Sequence, residues 1–257
     1  MISHKVGPLW IAILLVGALL TWYVVSGPTG SVRGVSTANW WFDGSSWRVS
    51  GKAPSCPKPL TLLSPVPLLK ATSILYPGQT RGGNYKPHGG FRFDTSKSND
   101  ITVKAPMDAL LVRGSRYIEI GEVQYMFEFV NPCGIMYRFD HLRVLSPKLA
   151  AVATTLPTAK KDDSRTTNLS STVTVAAGEV IATAVGYQKS NTSVDWGVYD
   201  LRSKNGASKQ AAWAAQHDNE LAEHAICWFD VLSLGDKVKA KKLPGSGVNG
   251  KKSDFCK

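Results

Sequence analysis

The chain is poor in acid, cysteine and histidine: 19 Asp and Glu stand against 30 Lys and Arg, and there are only four Cys and five His in 257 residues. No second long apolar run follows the first, which excludes a multi-pass membrane protein. There is no Gly-X-Y period, which excludes a collagen-like chain, and 43% hydrophobic against 19% charged residues is too apolar for a disordered polymer. The cysteines show no CxxC or CxxH spacing, so no zinc knuckle or ribbon is encoded. Phosphate-binding glycine loops and nucleophile elbows are also missing. Net charge alone would speak for nucleic acid, so no specific nucleic-acid partner is expected.

What is present begins with charge. A formal net charge of +11 leaves a surface attractive to polyanions such as anionic lipid headgroups or acidic wall polymers. Leu9 to Val25 is an apolar or near-apolar stretch preceded by His4 and Lys5. Seventeen residues of helix span roughly 25 Å, near the thickness of a bilayer core, so residues 1–26 read as a hydrophobic helix serving as signal anchor or signal peptide. The remainder is then exported, anchored to the inner or plasma membrane or secreted, where four cysteines form disulfides. Three pairings of Cys56, Cys133, Cys227 and Cys256 are open; we prefer Cys227 with Cys256, which would staple a basic tail, leaving Cys56 with Cys133.

Residues 27–59, rich in Gly, Ser, Pro and Trp, read as a linker in which Trp40, Trp41 and Trp47 pack on a domain edge or sit at a membrane interface. Residues 60–205 carry short β-rich runs between turn signals, with alternation such as Tyr125, Phe127 and Phe129 against Gln124, Met126 and Glu128. They predict a mainly antiparallel β domain interrupted by a long insertion at 147–171. Residues 206–235 predict one C-terminal amphipathic helix of about five turns, with Ser208 as N-cap. His217 and His224 share its face but lie about 10 Å apart, too far to hold one ion, and read as packing or surface histidines. Residues 236–257 read as a solvated Lys- and Gly-rich tail. Asn168 and Asn191 fit the glycosylation sequon, a pattern that matters only in a eukaryotic secretory pathway.

Five fragments carry the chemistry: RGGNYKPHGGFRFD (Arg81 to Asp94), VKAPMDALLV, YRFDHL (Tyr137 to Leu142), VTVAAGEVIATAVG and VDWGVYD (Val194 to Asp200). In this order, over about 120 residues, they resemble the lysostaphin-like (LytM, duplicated-hybrid-motif) zinc metallopeptidases. The resemblance implies an antiparallel, barrel-like β domain of the duplicated-hybrid-motif type, a zinc-dependent endopeptidase ancestry, and peptidoglycan or an envelope protein as partner. His88 matches the first zinc ligand and His141 the histidine that assists catalysis. Arg92 falls where the family has its ligand Asp, with Asp94 one repeat further. Asp195 and Gly197 fall where the family has its His-x-His pair.

A catalytic zinc needs three protein ligands and an open position for water. Gly197 supplies no ligand, and a guanidinium at Arg92 repels a divalent cation. The reading is therefore a degenerate member, a binding or regulatory module without a cofactor, whose groove holds His88, Arg92, Asp94, His141 and Asp195. Arg92 is expected to fill the vacated metal position and pair with Asp195 while His88 and His141 stay neutral beside them. The competing reading is an active zinc endopeptidase cleaving wall peptide cross-links. Its metal would be held by His88, Asp94 and Asp195, with His141 and Asp195 assisting the water, and a bulge in GGFRFD could bring Asp94 into the ligand position. A third is a structural envelope protein.

Overall fold

Alternation along the strands sets the architecture of this computed structural model, which describes residues 38–170, 173–188 and 191–257. The stretch Leu9–Val25 lies outside them; among the described residues no helix is long and apolar enough to cross a membrane. Fifteen strands are described: β1 (Asn39–Phe42), β2 (Trp47–Ser50), β3 (Ser73–Leu75), β4 (Gln79–Arg81), β5 (Asn84–Lys86), β6 (Gly89–Arg92), β7 (Val103–Lys104), β8 (Ala109–Glu119), β9 (Glu122–Val130), β10 (Ile135–Leu145), β11 (Lys160–Lys161), β12 (Thr167–Asn168), β13 (Thr174–Val175), β14 (Val180–Val185) and β15 (Ser193–Asp200). The α-helices are α1 (Pro147–Ala153), α2 (Ala211–Gln216) and α3 (Leu234–Lys242).

The main sheet runs β11-β8-β9-β10-β15-β6-β3, with β12 and β13 also on β8 and β14 joining β10 to β7. It is antiparallel except for the β11–β8 pair. The sheet stays open and does not close into the expected barrel-like form. Two of its edges are covered: that of β8 by the three short strands, and that of β3 by the chain at 244–246, where the Ile74 N–H donates to Pro244 O and the Ser246 N–H to Ile74 O.

One face of the sheet buries Phe91, Phe127, Phe129, Tyr137, Phe139, Val194 and Trp196. Period-two alternation puts these on one side, and each large apolar side chain contributes about 1.5–3 kcal/mol on burial. The opposite face carries Glu128, Arg138, Asp140 and Asp195 at one end and an apolar cluster of Val130, Met136, Tyr199 and Leu221 at the other. Strand β6 can lie against β15 because Gly90 has no side chain; a Cβ there would stand 2.4 Å from Val194 O. At the bulge where β10 passes from β9 to β14, His141 adopts φ +60°, a left-handed conformation uncommon outside glycine.

The ends of the chain differ from the sequence expectation. Part of the expected linker is folded: β1 and β2 form a hairpin whose Trp40 Nε1 donates to Pro132 O, and Trp47 is buried beneath the Arg113 guanidinium. Trp41 is half exposed. The five-turn helix is reduced to the six residues of α2, which starts after Gln210 without Ser208 as its cap. Helix α2 stops because the chain must turn to bury Trp228 and Phe229; Trp228 lies against Trp196 at 4.8 Å between ring centroids. His217 and His224 bond to backbone carbonyls, of Trp213 and of Asp200 and Ser203 respectively.

The expected solvated tail is instead helix α3 followed by a segment folded onto the β4–β5 hairpin, where Gln79 Nε2 donates to Gly250 O (3.1 Å) and Lys252 O (2.5 Å). Disulfides join Cys56 to Cys133 and Cys227 to Cys256, the preferred pairing. Two disulfides are the pattern of an exported chain.

Candidate functional site

The polar end of the second face is assembled by register. Gly90 lies opposite Asp195, Asp195 opposite Asp140, Gly197 opposite Arg138, and Arg138 opposite Glu128. Residues paired across antiparallel strands share a face, so His88, Asp195, Asp140, Arg138 and Glu128 converge on one side of the sheet.

Asp195 is the hub. Its Oδ2 lies 2.9 Å from His88 Nε2 and 4.0 Å from His141 Nε2. Burial on its own would push this carboxyl up, but His88, His141 and the Arg81 charge outweigh it and hold Asp195 well below the usual carboxylate range. His88 is lowered to about 4, by burial first and by the Arg138 charge next, against the pull of Asp195. At neutral pH the imidazole is therefore neutral, its Nε2–H donates to the Asp195 carboxylate, and its buried Nδ1 has no partner among the described residues. Arg81 is anchored beside them by donating to His88 O (3.0 Å) and Tyr76 O (2.8 Å).

His141 sits in a second polar shell. Its Nδ1 is 3.3 Å from Tyr187 Oη, 3.4 Å from Tyr117 Oη and 3.6 Å from Glu119 Oε2. Tyr117 donates to Asp140 Oδ1 at 2.7 Å, and Arg138 donates to Asp140 Oδ2 at 3.0 Å. Burial, and then Asp140, push the Tyr117 hydroxyl up; burial, and then Glu119, push up Tyr187, so both remain protonated donors. The Arg138 guanidinium is held above its ordinary value, since Tyr199, Asp140 and Glu128 outweigh the cost of its burial. On the far side Arg113 pairs with Glu128 and, at 2.5 Å, with Glu220.

A cleft of about 500 Å³ opens beside this group; of its members His88, Glu128 and Arg138 line the cleft, while Asp195, Asp140 and His141 do not. His88, Met126, Glu128 and Arg138 form its base, residues 164–166 of the long insertion form one wall, and residues 219–221 form another. Lys86 and Arg165 place positive charge on the rim.

Three of the five expected groove residues, His88, His141 and Asp195, are brought together. Arg92 and Asp94 are not part of that group. Arg92 turns to Asp94 (2.9 Å), whose other oxygen accepts from Thr72 Oγ1 at 2.7 Å, both at the partly exposed edge. The expected Arg92–Asp195 pair is thus replaced by His88–Asp195, because a carboxylate two residues away on its own chain is nearer to Arg92. No bulge interrupts β6, which pairs in continuous register with β15, so Asp94 is not carried into the ligand position.

The positive charge beside Asp195 comes instead from Arg81, and that beside His88 from Arg138, across the sheet from Gly197. Both were within the quoted motifs. The alternation Arg138, Asp140 against Tyr137, Phe139 marks them as facing away from the core, but their meeting with Asp195 depends on register.

The residues present do not fit a zinc centre of the family type. Gly197 offers no side chain, Arg92 and Asp94 satisfy each other, and the Arg138 and Arg81 charges act on His88 and Asp195. Among the described residues no three His, Cys, Asp or Glu side chains are grouped to hold a metal ion.

No protein-family model matches the chain, and no curated protein matches its sequence. Among solved structures, a structure of Helicobacter pylori Csd3 matches at 13% identity with a TM-score of 0.37, covering 71% of this chain and 40% of that one. The chain therefore spans less than half the length of that protein.

Proposed function

We propose that this chain is an exported envelope-binding module in which a lysostaphin-like groove holds a peptide or a segment of an envelope protein without cutting it. The observation that carries the reading is the charge balance at Asp195. Its carboxylate is met by His88 and faced by Arg81 and His141, so the site is neutralised by protein groups alone, while the adjoining cleft of about 500 Å³ stays open. Shape and catalysis are separable: a groove can keep its walls and its hydrogen-bonding edges after the groups for chemistry have changed. The sequence resemblance supplies the expected partner class, peptidoglycan or a protein bound to it.

Two measurements test this on the full chain. The oxidised protein is exposed to zinc, dialysed and analysed for metal; the binding reading expects no retained zinc, and about one zinc per chain lost on His88→Ala would replace it with the peptidase reading. Co-sedimentation with purified wall sacculi is then expected to weaken about tenfold for Lys86→Glu with Arg165→Glu, and to change little for Lys257→Glu. Equal losses from rim and terminal changes would reject the groove as the binding site and leave only charge attraction.

A further inference from the structure

Helix α3 turns its apolar residues outward. Leu234 and Val238 are spaced i, i+4 and are 79% and 46% exposed, while Ala240 on the opposite side is fully buried and fixes which way the helix faces. The helix lies against the turn Leu68–Lys70, whose Leu69 is 90% exposed. Lys239, Lys241 and Lys242 lie in the last turn of the helix, Lys242 one turn after Val238 on the same stripe, and the helix as a whole carries four lysines against one aspartate. Lys237 and Lys241 reach Asp230 at 2.7 and 3.6 Å, and Lys239 reaches Asp236 at 3.6 Å, which leaves the surface basic overall.

We infer that this face of α3, with Leu69, is a contact for the surface of an anionic lipid bilayer. Lysines alone would suit any polyanion, including a wall polymer. Three outward leucine and valine side chains gain nothing from such a polymer, whereas the headgroup and acyl boundary of a bilayer takes up apolar side chains and anionic headgroups attract the lysines of the helix. The inference rests on this helix face and is independent of what the cleft binds.

The test uses the full oxidised chain carrying Val238→Cys labelled with an environment-sensitive fluorophore, and a control label at Ser45→Cys in the β1–β2 turn. Both are mixed with vesicles of phosphatidylcholine, or of phosphatidylcholine with about one-quarter phosphatidylglycerol, containing doxyl-labelled lipid. On anionic vesicles the label at 238 is expected to shift to the blue, to be quenched at least about twofold by the doxyl lipid, and to lose both effects in Lys239→Glu/Lys241→Glu/Lys242→Glu. The Ser45 label stays unquenched. The inference is overturned if the label at 238 remains as open to aqueous iodide on anionic vesicles as in solution, or if quenching survives the triple change. It is equally overturned if soluble poly(glycerol phosphate) gives the same blue shift without lipid, since binding would then be to polyanion charge only.

Discussion

At Asp195 a negative charge is kept in a nearly buried position by three kinds of partner: a neutral imidazole that donates to it, a second imidazole at 4.0 Å, and guanidinium charge nearby. Burial and the Arg138 charge disfavour protonation of His88 more than Asp195 favours it, and that gives a pH signature. Folded His88 titrates near 4, against about 6.5 for an exposed histidine, so between these values the unfolded chain binds a proton that the folded chain refuses. Stability should be unaffected by His88 above about pH 6.5 and should fall as pH drops towards 4, by up to about 1.4 kcal/mol per pH unit. The lowered Asp195 adds a further loss below the usual carboxylate range. Urea unfolding at several pH values checks this: His88→Asn is expected to flatten the slope between pH 6.5 and 4.5, and parallel slopes in variant and parent would refute it. At this scale the sequence exposed His88, His141 and Asp195, because motif order places them. It could not expose Arg138 as the neighbouring cation, because that depends on β10 lying beside β15 with Arg138 opposite Gly197.

Strand β6 shows how an element depends on what it lacks. Gly89 and Gly90 let β3 and β15 close on either side; a Cβ at Gly89 would stand 2.2 Å from Leu75 O, and one at Gly90 would meet the β15 backbone. Gly90→Ala is expected to cost at least about 2 kcal/mol, since backbone atoms cannot rotate away as a side chain can. Gly206→Ala, in open space with φ −67°, should be neutral or stabilise by up to about 1 kcal/mol. Thermal melts of the two variants would test the contrast, and similar shifts would mean that β6 adjusts more freely than its packing implies. The strands themselves were legible from alternation in segments such as VQYMFEFV. The five-turn C-terminal helix that composition predicts is cut short for a physical reason: Ala- and Leu-rich composition favours helix locally, but burial of Trp228 against Trp196 and of Phe229 against Tyr76 outweighs that preference. The same holds for α3, whose Lys and Gly content reads as solvated tail until Ala240 and the Cys227–Cys256 bond fasten it down.

For the molecule as a whole the two disulfides act on different lengths of chain. Cys56–Cys133 closes a separation of 77 residues and Cys227–Cys256 one of 29. Loop-closure entropy then predicts losses of about 4 to 5 kcal/mol for Cys56→Ser with Cys133→Ser and about 3 to 4 kcal/mol for Cys227→Ser with Cys256→Ser. Denaturant unfolding of each pair would show the order, and a larger loss from the shorter loop would mean that contacts of the tail, rather than loop length, dominate.

The covering of the sheet bears on the protein's life outside the folded monomer. An open antiparallel sheet with a bare outer strand invites a second molecule to add its own strand, and a concentrated exported protein is exposed to that hazard. Here β11, β12 and β13 occupy the outer side of β8, and residues 244–246 occupy that of β3. The long insertion, with β13 just after it, and the C-terminal segment therefore serve solubility as well as architecture: each fills a hydrogen-bonding row on which strand-by-strand polymerisation could otherwise begin.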